Sequence, residues 1–132
     1  MNTKRICLLL ALLLASILTA CGAPTSPAAS TQSFWDAINA QKIDVAMAFV
    51  ADDVKLSGGP FDSSTDKATF SDIMSSQTKS GVRYEISELK IGPGDTVAFN
   101  LKVHTNDMVY GNGPAKFKVN NDGKFVLMEF PN

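Results

Sequence analysis

The hydrophobic side chains of this chain change their period at Gly81. Ahead of it, Phe34, Ala37, Ile38 and Gln41 recur at helical spacing, and so do Phe70, Ile73, Met74 and Gln77. Beyond it, Val97, Phe99, Leu101 and Val103 alternate with Ala98, Asn100, Lys102 and His104. A repeat of about 3.6 gathers apolar groups along one stripe of a helix, and a repeat of two gathers them on one face of a strand. A slip of one residue in the 97–104 strand would turn its whole apolar set to solvent, so its register is tightly specified. Helices first and strands afterwards predict an α+β fold, with three N-terminal helices on one face of a strongly bent antiparallel sheet.

The boundaries follow from local signals. The first helix is predicted over 31–41, with Ser30 or Thr31 as its cap. Asp44 reads as the N-cap of a shorter second helix with Val45, Ala48 and Phe49 inward, ended by Asp52-Asp53. Val54-Lys55-Leu56 is a short strand, and Ser57-Gly58-Gly59-Pro60 a loop. Asp66 caps a third helix that Ser80-Gly81 stops. Val82, Tyr84 and Ile86 share one strand face while Leu89 and Ile91 have the opposite parity, which predicts a bulge near Ser87-Glu88. Gly92-Pro93-Gly94-Asp95, Thr105-Asn106-Asp107 and Asn120 to Gly123 are turns. Gly111-Asn112-Gly113-Pro114 is expected to interrupt the strand that starts at Met108. Phe125 to Phe130, apolar on both parities, reads as a central strand.

The first thirty residues obey different rules. A basic start, Lys4-Arg5, precedes an apolar run from Ile6 to Leu18. That run spans only about 20 Å as a helix, short of the roughly 30 Å of a hydrocarbon core, so it has the layout of an export signal. Leu18-Thr19-Ala20-Cys21 resembles the lipobox of bacterial lipoproteins. The resemblance implies lipidation of Cys21 and cleavage before it, with acyl chains holding the protein at a membrane of the bacterial cell envelope, outside the cytoplasm. Gly22 to Ser30 carries prolines at 24 and 27 and no aliphatic side chain larger than alanine. Such a segment buries too little to offset its ordering entropy and reads as a flexible tether. The expected organisation is a signal over 1–20, a lipidated cysteine and tether over 21–30, and one domain over 31–132.

Charge and cysteine content exclude several classes of function. The formal charge of −1 falls to about −3 once Lys4 and Arg5 leave with the signal. No basic stripe remains for nucleic acid. Cys21 would be the one cysteine left, which leaves no disulfide and no thiolate metal site. A single histidine and scattered carboxylates match no metal-ligand spacing, so no cofactor or metal is expected.

FWDAINAQKIDVAMAFVADDVKL (34–56), YEISELKIGPGDTVAFNLKV (84–103) and GPAKFKVNNDGKFVLMEF (113–130) together resemble the nuclear transport factor 2-like superfamily in its SnoaL-like branch. The likeness rests on the order of elements over nearly all of 31–131. It implies a cone: a bent sheet wraps the helices and leaves an apolar pocket at the wide end. That fold hosts isomerases, cyclases and dehydratases as well as non-enzymatic binding and assembly subunits, so the fold alone does not decide the activity.

The resemblance also implies where catalytic groups would stand in a ketosteroid isomerase-type site. The base position falls on Gly58, the tyrosine position on Phe34 and the acid position on Ala115. All three functional groups are missing, and without a base no proton is abstracted. A slip in register brings Ser57 or Asp62 near the base position. His104 lies on the strand face opposite the core, with Asn100 and Lys102, and Asp52-Asp53 read as solvated groups at a helix end. Phe34, Phe70, Met74, Tyr84, Tyr110 and Phe117 point mostly inward and are either plain core or the lining of an apolar pocket. Trp35, one residue off that face, would cover the pocket rim or sit in an interface. Three readings stay open: a non-catalytic domain that binds an apolar small molecule or a partner protein, a SnoaL-like enzyme with an atypical site, or a subunit that forms a homodimer through its sheet.

Overall fold

The computed structural model describes residues 26–106 and 108–132. The signal, Cys21 and the tether up to residue 25 lie outside the described residues, as does Asp107. Helix α1 (Pro27–Asn39), the short α2 (Ile43–Met47) and strand β1 (Val50–Ser57) come first. Helix α3 (Lys67–Lys79) follows, and then strands β2 (Val82–Gly92), β3 (Thr96–Thr105), β4 (Met108–Val119) and β5 (Phe125–Glu129).

Helix α1 starts at Pro27, inside the stretch read as tether. Ser26 is the cap: its Oγ accepts from the Ala29 amide at 3.2 Å. Proline suits the first helical position because its missing N–H would have no partner there and its φ is already helical. Ser30 and Thr31 are buried inside the helix instead of capping it. Thr31 donates to the Pro27 carbonyl at 2.8 Å, which satisfies its hydroxyl. Small polar residues buried in this way leave no apolar period to read. Trp35 is 1% exposed and belongs to the core, neither rim nor interface. Its indole N–H is the one buried side-chain polar atom without a partner among the described residues.

Helix α2 is little more than one turn, too short for a period to show. Lys42 precedes it, Asp44 sits in its first turn, Ala46 and Met47 are buried, and Val45 is exposed. Strand β1 begins at Val50, so Asp52-Asp53 lie on a strand and not at a helix end. They fall where the pairing of β1 with β5 is irregular, between Val50 and Lys55, and both face solvent. Asp66 does cap α3, accepting from the Thr69 amide at 2.7 Å.

The sheet order is β1-β5-β4-β3-β2. Neighbours are antiparallel except β1 and β5, which run parallel, so the sheet is mixed. Besides the irregularity between β1 and β5, three others bend it. The first lies between Ser87 and Lys90, where Glu88 takes φ 55°. The second leaves Tyr110 unpaired between the pairs Val103–Gly111 and His104–Val109. The third lies at Lys118–Val119 against β5. Bulges of this kind increase twist and curl a sheet round what packs on its concave face. Strand β4 runs through 111–114 without the expected break: Gly111 pairs with Val103, Gly113 with Leu101 and Pro114 with Asn100. Strand β5 reaches only as far as Lys116, so β4 is an edge at Pro114, where a missing N–H is tolerated.

The concave face holds an aromatic cluster. Phe34 meets Trp35 at 5.0 Å, Phe125 at 5.6 Å, Phe117 at 6.1 Å and Phe70 at 6.3 Å between ring centres. Mostly edge-to-face geometry adds quadrupole attraction to the burial of large apolar areas.

Candidate functional site

A cavity of about 510 Å³ lies between α3, the loop after β1, the concave face of β3 and β4, and the last residues of the chain. Its origin is legible in β4. Ala115, Phe117 and Val119 face inward and are buried, and Gly111 and Gly113 have the same parity. With no side chain at either position, the inward place at Gly111 stays open and the one at Gly113 is left to another segment. A Cβ at Gly111 would make only ordinary contact, 3.9 Å from Val103. A Cβ at Gly113 would come within 2.7 Å of the Pro131 side chain, so the C-terminal segment crosses there and forms one wall.

Phe61, Met74, Leu101, Val103 and Phe130 give the cavity an apolar surface. Its part-buried polar pair is Tyr84 and Gln77, in which the phenol donates to Gln77 Oε1. The Tyr84 oxygen also lies 3.9 Å from Met74 Sδ. Burial pushes the phenol up from its ordinary pKa, so it stays protonated. Tyr84 is held firmly. Asn39, the last residue of α1, accepts from the Tyr84 amide at 2.8 Å and donates to its carbonyl at 2.7 Å. The Trp35 ring lies 4.9 Å from the phenol ring.

Of the six residues singled out in the sequence, Met74, Tyr84 and Tyr110 lie on the cavity wall. Tyr110, at the bulge and 80% exposed, stands at the rim. Phe34, Phe70 and Phe117 are fully buried behind the cavity, in the aromatic cluster. Cys21 lies outside the described residues. Among the described residues of the wall there is no Asp, Glu, His, Lys, Arg or Cys.

The other candidates lie elsewhere. Gly58 takes φ +83°, and a Cβ there would fall 2.0 Å from the Phe130 carbonyl oxygen, so the backbone itself fills the base position. Ala115 and Phe34 are buried. Ser57 is exposed at the end of β1. Asp62 is exposed and accepts from the Ser64 hydroxyl and amide at 2.6 and 2.8 Å, and these bonds hold its carboxyl below the usual range. Those bonds commit it to its own turn. His104 lies beside Glu85, 3.0 Å away on the outer sheet face. The signal missed in the sequence was the parity of Gly111 and Gly113. Continued from Ala115 and Phe117, it marks the missing side chain at Gly111 that leaves the cavity open and the one at Gly113 that lets Pro131 cross.

No protein-family model matches the chain, and no curated protein matches it in sequence. Solved structures do. An NTF2-like protein of unknown function from Cytophaga hutchinsonii superposes with a TM-score of 0.66 at 12% identity, over 81% of this chain and 89% of that one. The fold is NTF2-like. A Mycobacterium tuberculosis protein, solved in complex with estradiol-17beta-hemisuccinate, gives 0.66 at 23% identity over 79% and 92%. SalBIII, an epoxide hydrolase/cyclase-like enzyme of pyran ring formation in the polyether salinomycin, gives 0.62 at 18% identity over 76% and 84%.

Proposed function

We propose that this chain is an exported lipoprotein whose cone cavity binds an apolar small molecule without transforming it. The observation that carries this reading is the make-up of the wall: mostly apolar, about 510 Å³, with the polar side chains Tyr84, Gln77, Asn112 and Asn132 all neutral and no side-chain carboxylate or imidazole among its described residues. Binding an apolar guest needs only such a surface. Isomerase, cyclase or dehydratase chemistry needs a group that moves a proton, and the phenol of Tyr84, pushed up by burial, is a poor base. The M. tuberculosis neighbour, solved with a steroid derivative, supports a ring-shaped apolar guest for this cone as well.

A lipid anchor at Cys21 would be compatible with the same reading. Residues 22–26 alone separate Cys21 from the start of α1, and they reach at most about 17 Å. The domain therefore rides close to the membrane of the cell envelope with the N-terminal end of α1 toward it. The opposite end of α1, about 20 Å away, holds Tyr84, one residue of the cavity wall. This geometry keeps the cavity clear of the anchoring surface. A homodimer through the sheet is less favoured, because the outer face presents Lys102 and the pairs His104–Glu85 and Lys116–Glu129, which a second copy would have to desolvate.

Native mass spectrometry of protein purified from its own host is expected to release one small molecule per chain. A chain that stays empty while turning over a substrate would reverse the reading. Cys21→Ser is expected to move the protein out of the membrane fraction, and an unchanged distribution would remove the anchor.

A further inference from the structure

The ligand class can be narrowed, resting on the cavity reading above. We infer that the Gln77 carboxamide, braced by Tyr84, recognises a hydrogen-bond acceptor on an otherwise apolar, uncharged guest, a carbonyl above all. Gln77 Oε1 is occupied by the Tyr84 hydroxyl. Its Nε2 has no protein partner among the described residues, and the side chain lines the cavity and is only partly exposed. A carboxamide with its oxygen engaged and its nitrogen free offers donors. Half-buried in the wall with Met74, Leu101 and Val103, this donor loses its access to water when the cavity fills, and an acceptor on the guest removes the cost of leaving it unpaired.

Two further features make this recognition selective. Tyr84 is fixed through both backbone groups by Asn39 and by ring contact with Trp35, so the carboxamide is oriented before the guest arrives. Little ordering entropy then opposes the new hydrogen bond. The described wall carries no cationic side chain to pair an anion and no side-chain carboxylate to pair an amine. A charged guest would leave water without compensation.

The test uses three probes that share one flat ring system: acetylpyrene, ethylpyrene and pyrenecarboxylate, titrated calorimetrically into the full domain. Acetylpyrene is expected to bind about 3–10-fold more tightly than ethylpyrene, the worth of one net hydrogen bond. Pyrenecarboxylate should be weaker than either. In Gln77→Leu the ketone should fall to the level of ethylpyrene while ethylpyrene is not weakened. In Tyr84→Phe, which frees the carboxamide to turn, the gap should shrink. Thermal melts identify any variant that fails to fold, and either variant alone suffices. Equal binding of all three probes, or a ketone preference that survives both substitutions, would overturn the carbonyl recognition and leave the cavity reading intact. Failure of every probe to bind the native protein would overturn both.

Discussion

The two ends of the concave face differ in what β4 contributes to them. Toward the β4–β5 turn, Phe117 projects into a cluster with Phe34, Phe99 and Phe125, all buried. Toward the β3–β4 turn, the same inward parity is filled by Gly111 and Gly113, and a cavity opens. One strand thus builds a packed core over half its length and an empty space over the other half. The contrast teaches that the cavity is not a packing defect of a small domain. It is a region where bulk is withheld while aromatic bulk is concentrated next to it. Stability and binding capacity are therefore separable in this chain.

The largest effect expected from that separation is at the packed end. Phe34→Ala removes a fully buried ring that touches four others and should cost about 3–5 kcal/mol in denaturant unfolding. Loss of binding there would follow loss of the fold, and a loss of under about 1 kcal/mol would mean that the cluster is not the stabilising unit. At the open end the opposite pattern is expected. Gly111→Leu places a side chain into the cavity with no close contact at its Cβ. Burial of apolar surface should leave the domain as stable as before or steadier by up to about 2 kcal/mol. Binding of acetylpyrene should fall at least tenfold. Unchanged binding would move the guest to another surface.

Sequence periodicity reached the packed end more easily than the open one. The alternation of Val97, Phe99 and Leu101 fixed the inward face of β3, and the parity change after Ile86 located the bulge at Ser87–Lys90. The third helix and its Asp66 cap were equally plain. Where side chains are small, the pattern fell silent. Pro27 to Ser30 form the first turn of α1, yet they read as tether because nothing there is both large and apolar. Gly111 to Pro114 looked like a break because glycine and proline usually punctuate strands, and only the ladder to β3 reveals that the strand continues. Asp52-Asp53 looked like a helix end because a five-residue α2 has too little length to show where it stops. Tyr84 was selected as an aromatic, but its partnership with Gln77 depends on how α3 crosses β2, which no local spacing encodes.

Helix α3 joins the two ends, since Phe70 near its start packs in the aromatic cluster and Gln77 near its finish lines the cavity. Its cap offers the smallest and most selective perturbation. The Thr69 amide bonded to Asp66 holds that carboxyl below its ordinary value of 3.8. A carboxylate whose pKa is depressed on folding contributes stability that is complete above the unfolded value and is lost as pH falls toward the folded one. Asp66→Ala should therefore be less stable than the native chain at neutral pH, and the difference should narrow as the medium is acidified below 3.8. Asp66→Asn keeps a capping oxygen without the charge, so it should show a smaller deficit that varies less with pH. Denaturation midpoints measured across the acid range distinguish these outcomes. A deficit that persists unchanged in acid would mean that the cap acts through geometry alone. Because Gln77 lies about three turns beyond the cap, acetylpyrene affinity at neutral pH should not change in either variant. A parallel loss of affinity would show that the packed and open ends are coupled through α3, against the separation argued from β4.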